Sequence, residues 1–188
     1  ELVTSAYRRS FMKSLSIGLA SARAGNVIGG GDWSEDRLLP DFLRAIDAGQ
    51  SLIIRYPSAI RPWQHVLEPL SGYLCIAEHL TNDARFAQAW NFGPNDSDAR
   101  SVEWIVDNLC SRMVGASWRS ETLEQPHEAG TLKLDSTKAH EQLGWRPRWS
   151  IDIALEKTLS WHQAWKRGED MQTFSLIQVQ EYLESPQQ

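Results

Sequence analysis

Residues 17–24 read IGLASARA and residues 25–34 read GNVIGGGDWS, so a run of small and branched residues passes directly into a glycine-rich loop. A short apolar run bounded by polar turns predicts a strand, and this one is expected to be buried on both faces, as in the centre of a parallel sheet. In α/β proteins, ligands bind outside the carboxyl ends of such strands. The loop at residues 25–34 is therefore a candidate binding site.

Strand and helix signals alternate on both sides of this stretch, and that alternation predicts an α/β fold. Serines at the starts of helices and glycines at their ends support the helix boundaries. The predicted helices cover residues 1–15, 38–48, 70–80, 101–114, 135–144, 150–168 and 175–184, and further strands are predicted at 51–55, 63–66, 89–92, 118–123 and 132–134.

The composition is that of one sizeable globular domain of 188 residues with a net charge of -5. This acidity argues against a nucleic-acid or anionic-membrane surface. The two cysteines, Cys75 and Cys110, form no CxxC pair, which favours a reducing cytoplasm. No apolar run is long enough for a membrane span. Because the helical pattern begins at the first residues, we expect the chain to be a fragment of a longer protein.

Several catalytic motifs are absent from the sequence. It contains no GxGxxG, no GxxxxGK[ST] and no GxSxG, and its five histidines lack zinc-ligand spacing. Asp32 follows the glycine triplet directly, where a carboxylate would repel phosphate. We therefore expect neither a catalytic residue nor a metal site in this chain.

Four stretches, in order and covering nearly the whole chain, resemble the motifs of the extended short-chain dehydrogenase/reductase family, in its sugar-nucleotide branch. Each stretch alone is a weak signal, and their order makes the combination strong. They are RAGNVIG at residues 23–29, IRPWQHV at 60–66, WNFG at 90–93 and LDSTKA at 134–139, the last followed by LGW at 143–145 and Pro147.

Within that family, the chain resembles most the CDP-glucose 4,6-dehydratases. The features that carry this are the glycine triplet followed by Asp32 and Trp33, the segment PWQH after Arg61, and PHEA at residues 126–129. The dTDP-glucose dehydratases and UDP-sugar epimerases differ from it at the first two of these features. Another enzyme of the same family, or a nucleotide-sugar-binding module without activity, remains the alternative.

The resemblance implies the C-terminal part of a Rossmann-type NAD(P)-binding fold, with its last parallel strands and helices, plus a smaller substrate-binding cap. The Rossmann-derived segments would be about 1–30 and 50–95, and the cap about 31–49 and 96–188. The missing N-terminal half would carry the glycine fingerprint, the Tyr-x-x-x-Lys pair and the acid and base residues. The enzyme would be a cytoplasmic homodimer or homotetramer.

The resemblance also implies a reaction. With NAD as cofactor, the whole enzyme would convert CDP-glucose to CDP-4-keto-6-deoxyglucose, a precursor of dideoxysugars in lipopolysaccharide O-antigen. This half would supply the sugar-nucleotide site and aim the sugar at the nicotinamide, which is catalysis by positioning.

Six substrate-binding residues are implied. Arg61 would hold the diphosphate, because a guanidinium forks onto two oxygens, and Asn26 would contact the same phosphates. Leu39 and Ile54 would belong to the wall that sandwiches the base. The competing interpretations are a surface ion pair for Arg61, a turn cap for Asn26 and core packing for the two apolar residues.

His127 and Glu128 complete the six. They lie where relatives place a second diphosphate-binding arginine or its neighbours, so His127 would donate to phosphate and Glu128 would accept from a sugar or ribose hydroxyl. Ala24, Gly25 and Val27 are implied as cofactor-binding residues, because small side chains allow their backbone to approach the nicotinamide. Tight strand packing is the alternative for these three.

Overall fold

The computed structural model describes residues 1–12, 14–121 and 130–188 of the chain. A π-helical turn at Arg8–Met12 follows the first helix. The helices are α1 (Leu2–Tyr7), α2 (Leu38–Asp47), α3 (Leu67–Asn82), α4 (Val102–Arg112), α5 (Thr137–Leu143), α6 (Ile151–Lys166) and α7 (Met171–Glu184). The strands are β1 (Ser21–Ala24), β2 (Asn26–Ile28), β3 (Leu52–Ile54), β4 (Ile60–His65), β5 (Ala89–Phe92), β6 (Ala99–Ser101) and β7 (Trp118–Ser120).

The strands of the described residues form three small sheets. β1 pairs in parallel with β5, and β3 pairs in parallel with β7. In the third sheet β4 is central, parallel to β2 and antiparallel to β6. Parallel strands joined through helices confirm the predicted α/β fold.

Local sequence signals set several helix boundaries. The hydroxyls of Ser101 and Ser150 accept hydrogen bonds from the backbone N–H groups of Trp104 and Ile153, as N-caps do. Gly144 ends α5 at φ +65°, a left-handed conformation that glycine adopts without a steric penalty. These boundaries agree with those predicted from the sequence.

Two clusters of buried side chains hold the elements together. The larger one, which we call core 1, packs α2, β3, α4 and α6 against each other together with Ile28 and Trp63. The smaller one, core 2, packs α3 and α5 on β5. Its buried members are Ile76, Trp90, Phe92, Ala139, Leu143 and Trp145.

The cores join residues from both of the predicted domains. β3, predicted as Rossmann-derived, packs in core 1, whereas α5, predicted as part of the cap, packs in core 2. The predicted division at residues 1–30 and 50–95 against 31–49 and 96–188 stays a prediction.

The first 24 residues differ from expectation. The helix predicted over residues 1–15 ends at Tyr7, because none of its residues is buried and short helices depend on packing. The strand predicted over 17–24 begins only at Ser21, where its four-residue partner β5 begins, and its two central residues are exposed. Within the described residues, β1 pairs with β5 alone.

Two smaller differences concern loops. The loop predicted over residues 25–34 contains the short strand β2, which pairs with β4. No strand forms at residues 132–134, because the pairing there is limited to a single bridge between Ile60 and Thr131.

Candidate nucleotide-binding site

A cavity of about 540 Å³ opens where the glycine-rich loop leaves the sheets. Its walls come from three parts of the chain: the segment from Gly25 to Asp41, the strand β3 with the turn after it, and β4. The cavity therefore lies beside the carboxyl end of β1, as predicted for a ligand site in an α/β fold.

The cavity brings together six of the nine predicted site residues, although they lie far apart in the sequence. Ala24 sits at the end of β1 and does not line it. His127 and Glu128 lie outside the described residues. The six that line the cavity are Gly25, Asn26, Val27, Leu39, Ile54 and Arg61.

Arg61 is a buried cation in the cavity wall. Its residue is only 5% exposed, although it lies on β4 opposite the exposed Arg100 of β6. The Nη1 atom of Arg61 donates to the carbonyl of Ile60 at 2.8 Å. A surface ion pair, the alternative interpretation of this residue, does not fit such burial.

Asn26 begins β2 and is half-buried. No hydrogen bond joins its side chain to another described residue, so it does not cap the turn before Gly29 in this part of the chain. Gly25, directly before it, is packed against β4: a Cβ there would lie 2.3 Å from the carbonyl oxygen of Pro62. Strand packing alone therefore requires glycine at position 25.

Leu39 and Ile54 form an apolar wall. They are 3% and 4% exposed, and both belong to core 1. Their two proposed roles, core packing and cavity lining, thus coincide.

Ion pairs lie along the rim of the cavity. Their residues have no regular spacing along the chain, so no sequence pattern predicted the pairs. Arg37 pairs with Asp32 at 3.1 Å, and Arg55 pairs with Asp36 at 3.8 Å. Burial acts to raise the pKa of Asp32, but hydrogen bonds from Ser34 and Arg37 outweigh it, and the net pKa is lowered. Asp32 is therefore a carboxylate that neutralises Arg37.

Arg61 is the buried arginine of the site, whereas Arg37 and Arg55 are exposed. Three arginines and three aspartates line the cavity, which makes its formal charge zero. The six are Asp32, Asp36, Arg37, Asp41, Arg55 and Arg61.

His65 is the last residue of β4 and is buried. It is 2% exposed, and its Nδ1 accepts from the backbone N–H of Leu67 at 3.3 Å. Burial, aided by the charge of Lys157, lowers the pKa of His65 to about 4, so the ring is neutral at neutral pH. Among the described residues, no group of three or more His, Cys, Asp or Glu could hold a metal ion.

The apolar and aromatic residues of α6 do not all belong to the core. Leu155 and Leu159 are buried in core 1. Trp161, however, is half-buried, and Trp165 is 43% exposed. Both tryptophans contact Trp33 of the glycine-rich loop. Their spacing of four residues was the available signal, but it does not identify the partner.

No helix in the described part of the chain has the length and apolar character needed to cross a membrane.

The chain is similar in sequence to a known enzyme. It is 52% identical over 190 aligned positions to a CDP-glucose 4,6-dehydratase from Salmonella typhimurium, an alignment that covers 97% of this chain and 53% of that protein. The chain thus spans about half the length of the curated relative it matches. No family model matches it.

Solved structures share the fold at low sequence identity. A UDP-glucuronic acid 4-epimerase from Bacillus cereus, in complex with UDP-glucuronic acid and NAD, aligns with a TM-score of 0.69 and 19% identity over 84% of this chain and 48% of its own. A dTDP-glucose 4,6-dehydratase from Streptomyces venezuelae, with NAD and TYD bound, aligns with a TM-score of 0.64 and 18% identity over 90% and 50%.

These likenesses agree with the four ordered motifs and with the parallel α/β architecture. The chain is thus similar over 97% of its length to a CDP-glucose 4,6-dehydratase, and it shares its fold with solved sugar-nucleotide epimerases and dehydratases.

Proposed function

We propose that this chain is the sugar-nucleotide-binding part of an NAD-dependent CDP-glucose 4,6-dehydratase. The observation that carries the proposal is the cavity that places buried Arg61 and Asn26 beside the apolar wall of Leu39 and Ile54. The identity of 52% with a CDP-glucose 4,6-dehydratase favours CDP-glucose over other sugar nucleotides.

The cavity suits a nucleoside diphosphate in charge and in polarity. A diphosphate brings negative charge to a site whose formal charge is zero, so a buried cation is needed to balance it. Arg61 is that cation, because it is buried in the lining whereas Arg37 and Arg55 are exposed. Its guanidinium can donate to two phosphate oxygens at once. The pyrimidine would lie against Leu39 and Ile54, and Asn26 would donate its amide to phosphate.

The chain offers part of a nicotinamide site. Gly25 and Val27 line the cavity beside the end of β1, and Val27 is 36% exposed, so a flat ring can pack there. Ala24 adds a small residue at the same edge. These residues would pack on one face of the nicotinamide ring. We assign the rest of the NAD site to the N-terminal half.

In the proposed conversion the glucosyl ring is oxidised at C4, loses water across C5 and C6 and is reduced at C6, with bound NAD taking up and returning the hydride. This chain would contribute substrate affinity and orientation. By holding the diphosphate and the base, its residues would fix the sugar at the nicotinamide. His127 and Glu128 stay proposed ligands of phosphate and of a hydroxyl.

We further propose how the enzyme is assembled, where it acts and what its product is used for. The N-terminal half would supply the Tyr-x-x-x-Lys pair and the acid and base residues, and the assembled enzyme would be a cytoplasmic homodimer or homotetramer. Its product would serve the synthesis of dideoxysugars of lipopolysaccharide O-antigen.

The assay that tests the reaction uses the full-length protein, which comprises both halves, with CDP-, dTDP- and UDP-glucose as substrates. We expect turnover of CDP-glucose to the 4-keto-6-deoxy product, with little turnover of the other two. A preference for dTDP- or UDP-glucose would assign a different enzyme of the family. Binding without any turnover would indicate a nucleotide-sugar-binding module.

The role of Arg61 is tested by calorimetric titration of CDP into Arg61→Ala. A charge-assisted hydrogen bond contributes roughly 1.5–3 kcal/mol, so CDP affinity should fall on the order of ten- to a hundredfold. Arg61→Lys should recover part of the loss, because an ammonium cannot fork onto two oxygens. Arg100→Ala is the matched control, because Arg100 lies opposite Arg61 on β6 and does not line the cavity. Equal losses in the two alanine variants would remove Arg61 from the site.

A further inference from the structure

We infer that Trp161, together with Trp33 and Trp165, positions the wall of the nucleotide site, acting through the glycine-rich loop and not by touching substrate. This inference rests on the proposed function, since it concerns the same cavity. Neither Trp161 nor Trp165 lines the cavity, whereas the loop that they contact does.

The contact between Trp161 and the loop is too close for any side chain at position 30. A Cβ on Gly30 would lie 2.0 Å from Cγ of Trp161 and 2.2 Å from Cδ2, so the indole ring packs directly on the Gly30 backbone. Gly31, next in the loop, has φ +78° and also faces this ring, with its Cβ position 3.3 Å from Cη2. The glycine triplet therefore fits the loop around an aromatic ring.

The ring of Trp161 is itself held in place. Its Nε1 donates to Oγ of Ser175 on α7 at 3.0 Å. On the other side of the loop, Trp33 contacts Trp165, with the ring centroids 4.6 Å apart, and lies 6.5 Å from Trp161. The loop is thus fixed on α6 by two aromatic contacts, one on each side of Asp32.

The same turns of α6 also hold α2, which forms the next part of the wall. Nε2 of His162 is 3.0 Å from one carboxylate oxygen of Asp47, the last residue of α2, and Nζ of Lys166 donates to the other at 2.6 Å. Arg44 of α2 in turn donates to the backbone carbonyls of Trp33 and Ser34, both at 3.0 Å. Loop, α2 and α6 therefore form one connected unit.

From this unit, the cavity is lined by Gly29 and Asp32 of the loop and by Leu39 of α2. Arg61 lines the same cavity from β4. We infer that the aromatic contacts fix Asp32 and α2 relative to Arg61 and so set the shape of the site that would hold the nucleotide. A displacement of about 1 Å in such an element can cost up to about a hundredfold in function.

The test compares Trp161→Ala with Trp145→Phe and Trp161→Phe in the full-length protein, by titrating CDP and by measuring KM and kcat for CDP-glucose. We expect Trp161→Ala to weaken CDP binding by about tenfold or more and to raise KM more than it lowers kcat. Trp161→Phe keeps a ring against Gly30 and should retain most of the affinity. Trp145 is the matched control, because its indole also donates to a serine hydroxyl, that of Ser71 at 2.9 Å, but in core 2.

A second test changes the sizes of the side chains at positions 30 and 161 together. Gly30→Ala should weaken CDP binding, because the new methyl group displaces the loop from Trp161. Combining Gly30→Ala with Trp161→Ala removes the two closest contacts, with Cγ at 2.0 Å and Cδ2 at 2.2 Å, and leaves the contact with Cβ of residue 161 at 2.6 Å. The double variant should therefore bind CDP better than Gly30→Ala alone. Additive losses in the double variant would overturn the inference.

The two levels of the proposal fail in different ways. If the wild-type protein does not bind CDP, the proposed function is wrong. If it binds CDP and Trp161→Ala binds equally well, or if Trp145→Phe loses as much affinity at equal thermal stability, the positioning role is wrong and the site itself stands.

Discussion

Core 1 and the N-terminal segment of residues 1–20 use the same kinds of apolar side chain with opposite results. In core 1, Leu155 and Ile105 are 0% exposed. In the N-terminal segment, Leu2 is 89% exposed and Phe11 is 53% exposed, and neither α1 nor the turn after it buries a single residue. The difference lies in the neighbours and not in the residues.

Core 1 closes on itself because its helices and strands come from many parts of this chain. In the N-terminal segment, α1 and the turn after it bury no residue, and packing among the described residues is confined to Gly18 beside Leu80 and to Ala20 against core 2. β1, which follows it, has one open edge. An exposed apolar face and an unpaired strand edge indicate a surface that another element covers. We propose the N-terminal half of the enzyme and the second subunit for that role.

The largest effect, on both activity and association state, is expected when the chain is expressed without the N-terminal half. Residues 1–188 expressed alone should not turn over CDP-glucose, because the proposed catalytic residues lie in the other half, and the chain should self-associate. Activity measurements and light scattering check both points. A monodisperse, cooperatively melting chain would show that the N-terminal segment needs no cover, and turnover by the chain alone would contradict the division of the active site.

Within core 1 the next largest effect is expected from Leu155→Ala. Truncating a fully buried leucine typically lowers the free energy of unfolding by about 2–5 kcal/mol, because a cavity remains. Leu176→Ala on α7 is the control, because Leu176 is 61% exposed, and surface changes stay within about 0.5 kcal/mol. Urea unfolding of the full-length protein measures both. Equal effects would mean that exposure in this chain does not report packing.

A smaller effect is expected in a buried polar network that joins α3 to α7 and to the segment before α6. The carboxylate of Glu68 on α3 is fully buried and accepts from the backbone N–H groups of Arg148 and Trp149 and from the hydroxyl of Tyr182. Glu68→Gln removes one acceptor oxygen and should cost about 1–3 kcal/mol in unfolding free energy. Glu78→Gln, on an exposed position of the same helix, should cost nothing measurable.

The pH dependence of the Glu68 effect has a defined sign. Burial raises the pKa of Glu68 in spite of the hydrogen bonds that it accepts. The folded protein therefore binds this proton more tightly than the unfolded chain, so the contribution of Glu68 to stability is full below the unfolded pKa of about 4.3 and is lost as the pH rises through the folded pKa. The difference between wild type and Glu68→Gln should shrink from pH 4 upward. A difference that grows with pH would indicate a lowered pKa.

The smallest effect on stability is expected at Leu2, in the exposed N-terminal segment. In the full-length protein, Leu2→Ala should lower the unfolding free energy by more than the roughly 0.5 kcal/mol expected at an exposed position, because the proposed partner surface buries Leu2. Thermal unfolding of the full-length protein measures this, with Leu176→Ala as the control. Equal small values for the two variants would mean that the N-terminal segment is uncovered in the assembled enzyme.

The fold class and most helix boundaries could be predicted from the amino-acid sequence alone. Caps such as Ser101 and Ser150 act through neighbouring backbone groups, and glycines such as Gly144 act through their own φ angle, so these signals are local and can be read directly. The four family motifs located Arg61 and Asn26, which the structure places on one cavity.

The contacts between distant parts of the chain could be seen only in the tertiary structure. The shortening of β1 to Ser21–Ala24 follows from the length of its partner β5, and the ion pairs of Asp32 and Asp36 join residues without regular spacing. The packing of Trp161 on Gly30 joins two positions that are far apart in the sequence. Periodicity in a sequence shows that a face is apolar, but the partner of that face is set by chain topology, which no local pattern encodes.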